Sequence, residues 1–311
     1  MDLSALTLLG AAAGGFLGAT FGALVAFVFT GFAVLAGVVA AVGSGDPTLL
    51  NSFAFGPFFG PHISFAAGVA AVAYAKRRGW IESGRDIVTP MVSLSRPSVL
   101  LVGALFGLFG HVVQQLLTQV PWFGSNTDAV ALTVVLSALV VRLVFGRTGI
   151  IGPHVDGLRG WKRFTPNAQH VWLAYQQSTP QALLLGLFVG GVSAWSSVTL
   201  LAAYPDAPGV IYLGFGVSAV SLLFLAFGVQ VPATHHITLV SAVAANGFLL
   251  TVGVEPVAAV LVGALFGGLT ALVGEVFSRF WLIRGDTHID PPASAIWPMT
   301  TVALVAVSLF A

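Results

Sequence analysis

The chain has 311 residues, of which 57% are hydrophobic and 7% charged, with a formal net charge of +1. An ordinary soluble domain carries about 25% charged residues, and the 23 charged side chains here (12 basic, 11 acidic) are too few to clothe a soluble surface of this size. A soluble enzyme, a nucleic-acid binder and a disordered scaffold are therefore excluded, and the long continuous apolar runs point to an all-α integral membrane protein rather than a membrane barrel.

In chain order, five apolar segments are predicted in the first part: Ala5–Val28, Phe32–Val42, Phe58–Ala75, Ser98–Thr118 and Ala129–Phe145. The opening MDLSALTLLG carries an acid and no Lys or Arg, so the run behind it reads as the first spans rather than as a cleavable signal. A polar stretch from about Gly149 to Thr179 follows, read as a loop with one surface helix. Five more segments come after it: Gln181–Ala203, Val210–Phe227, Thr234–Thr251, Val257–Trp281 and Ala293–Leu309. A span needs about 20 residues, so the second segment is short, and the third of each set follows Gly- and Pro-broken backbone.

The two sets resemble each other. LVGALFG stands at 101–107 and again at 261–267, LLGAAAGG at 8–15 parallels LLGLFVGG at 184–191, and His62-Ile63-Ser64 parallels His236-Ile237-Thr238. Asp128 and Asp290 each open a fifth segment. The matches keep one order along the chain, which divides it into a five-helix repeat at 1–148, a cytoplasmic linker at 149–179 and a second five-helix repeat at 180–311. Ten spans with the N-terminus outside place Lys76-Arg77-Arg78, Arg147, Arg159, Lys162, Arg163, Arg279 and Arg284 inside, in keeping with the positive-inside rule. An odd number of spans per repeat inverts the second relative to the first. The fold expected is about ten transmembrane helices as two inverted-topology repeats, with broken helices near the repeat axis.

Polar groups in hydrocarbon are costly and face protein or water. The repeat-matched His62 and His236 both open a helix after Pro61 or Pro232, with Ser64 and Thr238 two residues on. Together they suggest a central site for a small anion, a polar solute or a proton; the alternative is a pair of interfacial helix starts. Glu275 matches Gln115 across the repeat and is offered as a coupling carboxylate, with Arg279 one turn on as a competing partner. His111 shares a face with Gln115, and His235, unmatched, ranks below His236. DTHIDPP brings Asp286, His288 and Asp290 together as candidate metal ligands, against a plain N-cap at Asp290.

Gly10, Gly14 and Gly18, Gly103 and Gly107, and Gly263 and Gly267 form small-residue stripes, expected to put the first and fourth spans of each repeat at the centre of the bundle. Most Phe and Trp are expected to face lipid or the interface. The stretch PHISFAAGVAAVAYAKRRG, residues 61–79, resembles a pore-histidine helix of the ammonium-transporter family. That resemblance implies histidines paired across an inverted repeat, although here each falls on the third segment.

With no Walker, HExxH or GxSxG pattern and no cysteine, no cofactor, disulfide or thiolate site is expected. The function expected is a secondary transporter, proton-linked in one form, for a small polar solute or ion bound at the repeat interface through His62, Ser64, His236, Thr238, Glu275 and Gln115. A passive channel, a metal-binding or intramembrane enzyme and a partner-holding membrane subunit are the alternatives. The expected surroundings are the lipid bilayer of the cell membrane and a small-molecule or ion substrate, without nucleic acid; a homo-oligomer stays open.

Overall fold

A computed structural model describes residues 1–153 and 157–311. Among these residues the regular structure is helical, apart from a lone parallel bridge between Gly84 and Thr287. The α-helices are α1 (Ala5–Phe21), α2 (Ala23–Ser44), α3 (Ser64–Arg77), α4 (Pro97–Leu117) and α5 (Ala129–Phe145), followed by α6 (Thr179–Ala203), α7 (Leu213–Ala226), α8 (His235–Gly247), α9 (Pro256–Phe277) and α10 (Pro291–Phe310). Seven helical stretches are long and apolar enough to cross a membrane, one each built on α2, α4, α6, α7, α8, α9 and α10. By length and composition the chain is a multi-pass membrane protein, and a helix satisfies its own backbone where lipid offers no hydrogen bonds. The helix α5 has 17 residues with the predicted bounds, whereas α1, also of 17, and α3, of 14, are shorter than the segments predicted for them.

Gly22 moves the first boundary. Its φ of +89° ends α1 at Phe21, and a side chain there would meet the Val88 carbonyl at 2.7 Å. The following residues therefore belong to α2, a full 22-residue helix rather than the short segment predicted from Phe32. The surface helix expected in the linker reduces to a single 3₁₀ turn at Gly160–Phe164 among the described residues.

The centre of the bundle is α3 and α8, not the first and fourth helices. Every residue of α3 except Tyr74, Lys76 and Arg77 is buried, as is every residue of α8 except Val243 and Gly247. Among the first five helices α3 touches α1, α2, α4 and α5; among the last five α8 touches α6, α7, α9 and α10. Both are rich in Ala, Gly and Ser, whose small side chains let neighbours close in from every side. By contrast α4 and α9 turn Leu101 and Leu105, and Leu261, Leu265 and Leu269, outward.

The glycine stripes do pack helices. Gly15 of α1 meets Gly103 and Gly107 of α4, and Gly186 and Gly190 of α6 meet Gly267 of α9. Gly14 and Gly18 lie instead against the backbone of residues 57–64, the approach to α3. Between the two sets of five, α2 packs on α7 and α5 on α10, with Gly31 brought against Ala219 and Val220.

All twelve Lys and Arg residues lie in or beside the connections α3–α4, α5–α6 and α9–α10. Those connections are knitted together. Arg142, fully buried at the end of α5, donates to the carbonyls of Gly149, Ile150, Trp281 and Thr287 and to the Thr287 hydroxyl. Arg85 reaches the carbonyls of Leu282 and Ile283, and Arg279 donates to Gln177 at 2.9 Å.

Candidate functional site

A cavity of about 410 Å³ lies between α2, α5, α7, α8 and α10, within the range of small-molecule sites. Its position follows from where three helices begin. Asp128 caps α5, its Oδ1 accepting the Ala131 N–H at 2.8 Å, and Asp290 caps α10 through Oδ2 and the Ala293 N–H, also 2.8 Å. Pro291 and Pro292 fill the first turn of α10, where a missing N–H costs nothing. The helix α8 cannot start before Pro232. Its approach is held by Gln176, which accepts from the Ala233 N–H at 3.0 Å and donates to the Ala233 carbonyl at 3.3 Å, while Tyr175 donates to Val231 at 2.8 Å. These linker contacts set His235 at the cavity wall.

The ionisable groups lining the cavity are Asp128, Asp290, His235 and His288, together with the Tyr212 phenol; no Lys or Arg lines it among the described residues. His288 Nε2 stands 3.4 Å from Asp290 Oδ1. His235 is buried, and its Nδ1 has no hydrogen-bond partner. Aromatic rings enclose these groups. Phe27 lies 4.7 Å from the His235 ring centre, Phe65 meets His288 edge-on at 5.9 Å, and Phe55 contacts both Tyr212 (4.8 Å) and Phe215 (5.7 Å). These four phenylalanines face inward, against the expectation for most aromatics here, although Phe16, Phe188 and Phe227 are exposed as expected.

The residues predicted for the site lie elsewhere. His62 packs against Gly60 and Gly110, and His236 against Gly274, each within its own set of five helices. The Ser64 hydroxyl donates to the Phe59 carbonyl at 3.2 Å, and Thr238 to the carbonyls of Thr234 and His235. The two matched hydroxyls therefore do the same local work, satisfying backbone at the foot of α3 and α8. Gln115 accepts from the Asp2 N–H at 2.7 Å and donates to Gln114, while His111 meets the Asp2 carbonyl at 2.7 Å. The Asp2 carboxyl is itself held below the usual carboxylate range by the Thr7 hydroxyl and by Ser4. Glu275 is buried on α9 with Oε1 unpartnered. None of these six lines the cavity.

The three candidate metal ligands are not drawn together. Asp286 turns away from His288 and Asp290 to accept from the Arg147 N–H at 2.6 Å and the Thr148 hydroxyl at 2.7 Å, 3.9 Å from Arg142. Among the described residues no group of three or more His, Cys, Asp or Glu is placed to hold a metal ion.

The sequence ranks His235 below His236 because it has no repeat partner, and Arg142 carries no signal there as one cation inside an apolar run. Asp128 and Asp290 carried a usable signal: they match across the repeat, and both reach the cavity. The profile of a family of unknown function (DUF7973) matches residues 1–311. The chain belongs to this family. No curated protein and no solved structure matches it. For a DUF7973 member the cavity and its lining are thus the ground for a functional reading.

Proposed function

We propose that this DUF7973 protein is a secondary transporter of the cell membrane, built from two inverted five-helix halves at 1–148 and 180–311 joined by a cytoplasmic linker, and moving a small polar solute or ion. The observation that carries the reading is the reach of the cavity. Its lining includes Ile87 in the connection before α4 and Thr118 in the connection after it, and α4 between those connections runs for 21 residues, about 31 Å. A mostly apolar space that carries a few ionisable groups and touches the connections on either side of such a helix suits passage across the bilayer. The inverted halves draw support from the paired glycine contacts of α1 with α4 and α6 with α9, and from the matched caps Asp128 and Asp290. A proton-linked form has candidates in His62, His236 and Glu275, each with a buried polar atom lacking a hydrogen bond.

The chain contains no cysteine, so single cysteines report cleanly. Thr300, on α10, lines the cavity. Thr300→Cys in sealed vesicles is expected to react with an impermeant maleimide from one side in one state, and to change side when a proton gradient is imposed. Simultaneous labelling from both sides would mean a channel, and a cysteine sealed from both sides in every state would remove the reading. The topology has its own check: Arg78→Cys and Lys162→Cys should label from one face and Asp206→Cys from the other. Labelling of the first two from opposite faces would break the inverted halves.

A further inference from the structure

We infer that the cavity receives a small organic cation, an amine or quaternary ammonium carrying a short apolar body. The inference rests on the transporter reading for its site and goes beyond it in naming the substrate class. Two carboxylates, Asp128 and Asp290, enter the cavity from opposite sets of helices, and no Lys or Arg stands among the described lining residues. The cap uses one oxygen of each carboxylate, Oδ1 of Asp128 and Oδ2 of Asp290, and His288 stands 3.4 Å from the other oxygen of Asp290. An anion would meet two negative groups with only imidazoles to answer them. A neutral occupant would leave carboxylates facing a mostly apolar enclosure, which is costly unless the charge is paired. A cation removes that penalty.

The walls suit the same ligand. Phe27, Phe55, Phe65 and Phe215, with Tyr212, line the same cavity as the two carboxylates, and a cation within about 6 Å of a ring face is attracted by its quadrupole. These rings are held by one another: Phe27 meets Phe65 and Phe215, each at 5.8 Å. Leu222, Leu225, Leu239 and Ile296 supply apolar surface for the rest of the molecule. His235, buried with an unpartnered Nδ1 between Phe27 and Phe215, offers a hydrogen-bonding group to a hydroxyl or amine of the ligand.

The test uses three probes of nearly one shape and different charge: choline, its neutral carbon analogue 3,3-dimethyl-1-butanol, and the anion 3,3-dimethylbutanoate. Each is titrated against the purified full-length chain in detergent, with thermal unfolding as the readout, because a ligand of the native state raises apparent stability. Choline is expected to stabilise at concentrations at least tenfold below those needed of the neutral analogue, with no response to the anion. Asp290→Asn keeps an N-capping side chain and should weaken choline at least tenfold. Phe27→Leu should weaken it severalfold, a check that stands even if the Asp290 variant does not fold. Equal binding of the neutral analogue, preference for the anion, or no response to any probe would each overturn the cation assignment. If Thr300→Cys still changes its labelled side, the transporter reading survives that result; if it is sealed in every state, both fall.

Discussion

Replacing Arg142 with leucine is expected to destabilise the protein by about 3–5 kcal/mol, the range for removing a buried charge from its partners. The guanidinium is 1% exposed and donates to four carbonyls and one hydroxyl drawn from the α5–α6 and α9–α10 connections. Leucine matches the apolar surroundings of α5 but leaves those acceptors buried and unpaired, at roughly 1–3 kcal/mol for each that finds no water. Arg142→Lys should recover less than half of the loss, since an ammonium has three donors from one point and cannot fork as the guanidinium does. Thermal unfolding in detergent of the wild type and both variants decides this. A leucine variant within about 1 kcal/mol of wild type would mean that the connections hold together without Arg142.

The second large effect is expected at Gly15. A Cβ there would lie 2.7 Å from the Gly107 Cα and 2.8 Å from its nitrogen, both backbone atoms that cannot rotate away. Gly15→Ala must push α1 off α4 and should cost about 1–3 kcal/mol, as overpacking does. Association of helices in lipid has no hydrophobic drive and depends on such close approach, so Gly15→Val should cost more. Gly43→Ala is the control: it lies within α2 with no heavy atom within 4 Å of the added methyl. It should be neutral or stabilise by up to about 1 kcal/mol, since alanine is the better helix former. Equal melting shifts for the two alanine variants would show that glycine contact between α1 and α4 does not hold the bundle.

Membrane character was open to reading from composition, because a deficit of charge has no other physical outlet in a chain of this length. The glycine stripes were legible too, as contact surfaces, since spacing by four residues defines a helix face. Their neighbours were not legible. Placing α1 and α4 at the centre overlooked that a glycine stripe covers one face only, leaving Leu101 and Leu105 on another. The alanine-rich segment Ser64–Arg77 looks less hydrophobic and is the more buried, because burial by protein on all sides selects small side chains rather than greasy ones. The residues that line the cavity were hard to read for a related reason. Matching His62 to His236 located equivalent positions, and equivalence across a repeat is no statement about which ring faces open space. The adjacent His235 points to the cavity by the turn of one residue along α8. The walls of Phe27, Phe55, Phe65 and Phe215 come from four separate segments, and no periodicity links them.

The shortness of α3 has a consequence for how the protein is made. Its 14 residues extend about 21 Å, against a hydrocarbon thickness of about 30 Å, and its polar and alanine-rich face has no affinity for lipid of its own. As the chain leaves the ribosome, α1 and α2 are already made, but α4 and α5, which cover the other sides of α3, are not. Until they are, α3 lacks two of the four helices that pack around it. The last of the four to be made is α5, and it brings Asp128 with it. The same helix that closes the last side of α3 therefore carries the first half's aspartate to the cavity, so one element completes both the packing and the lining.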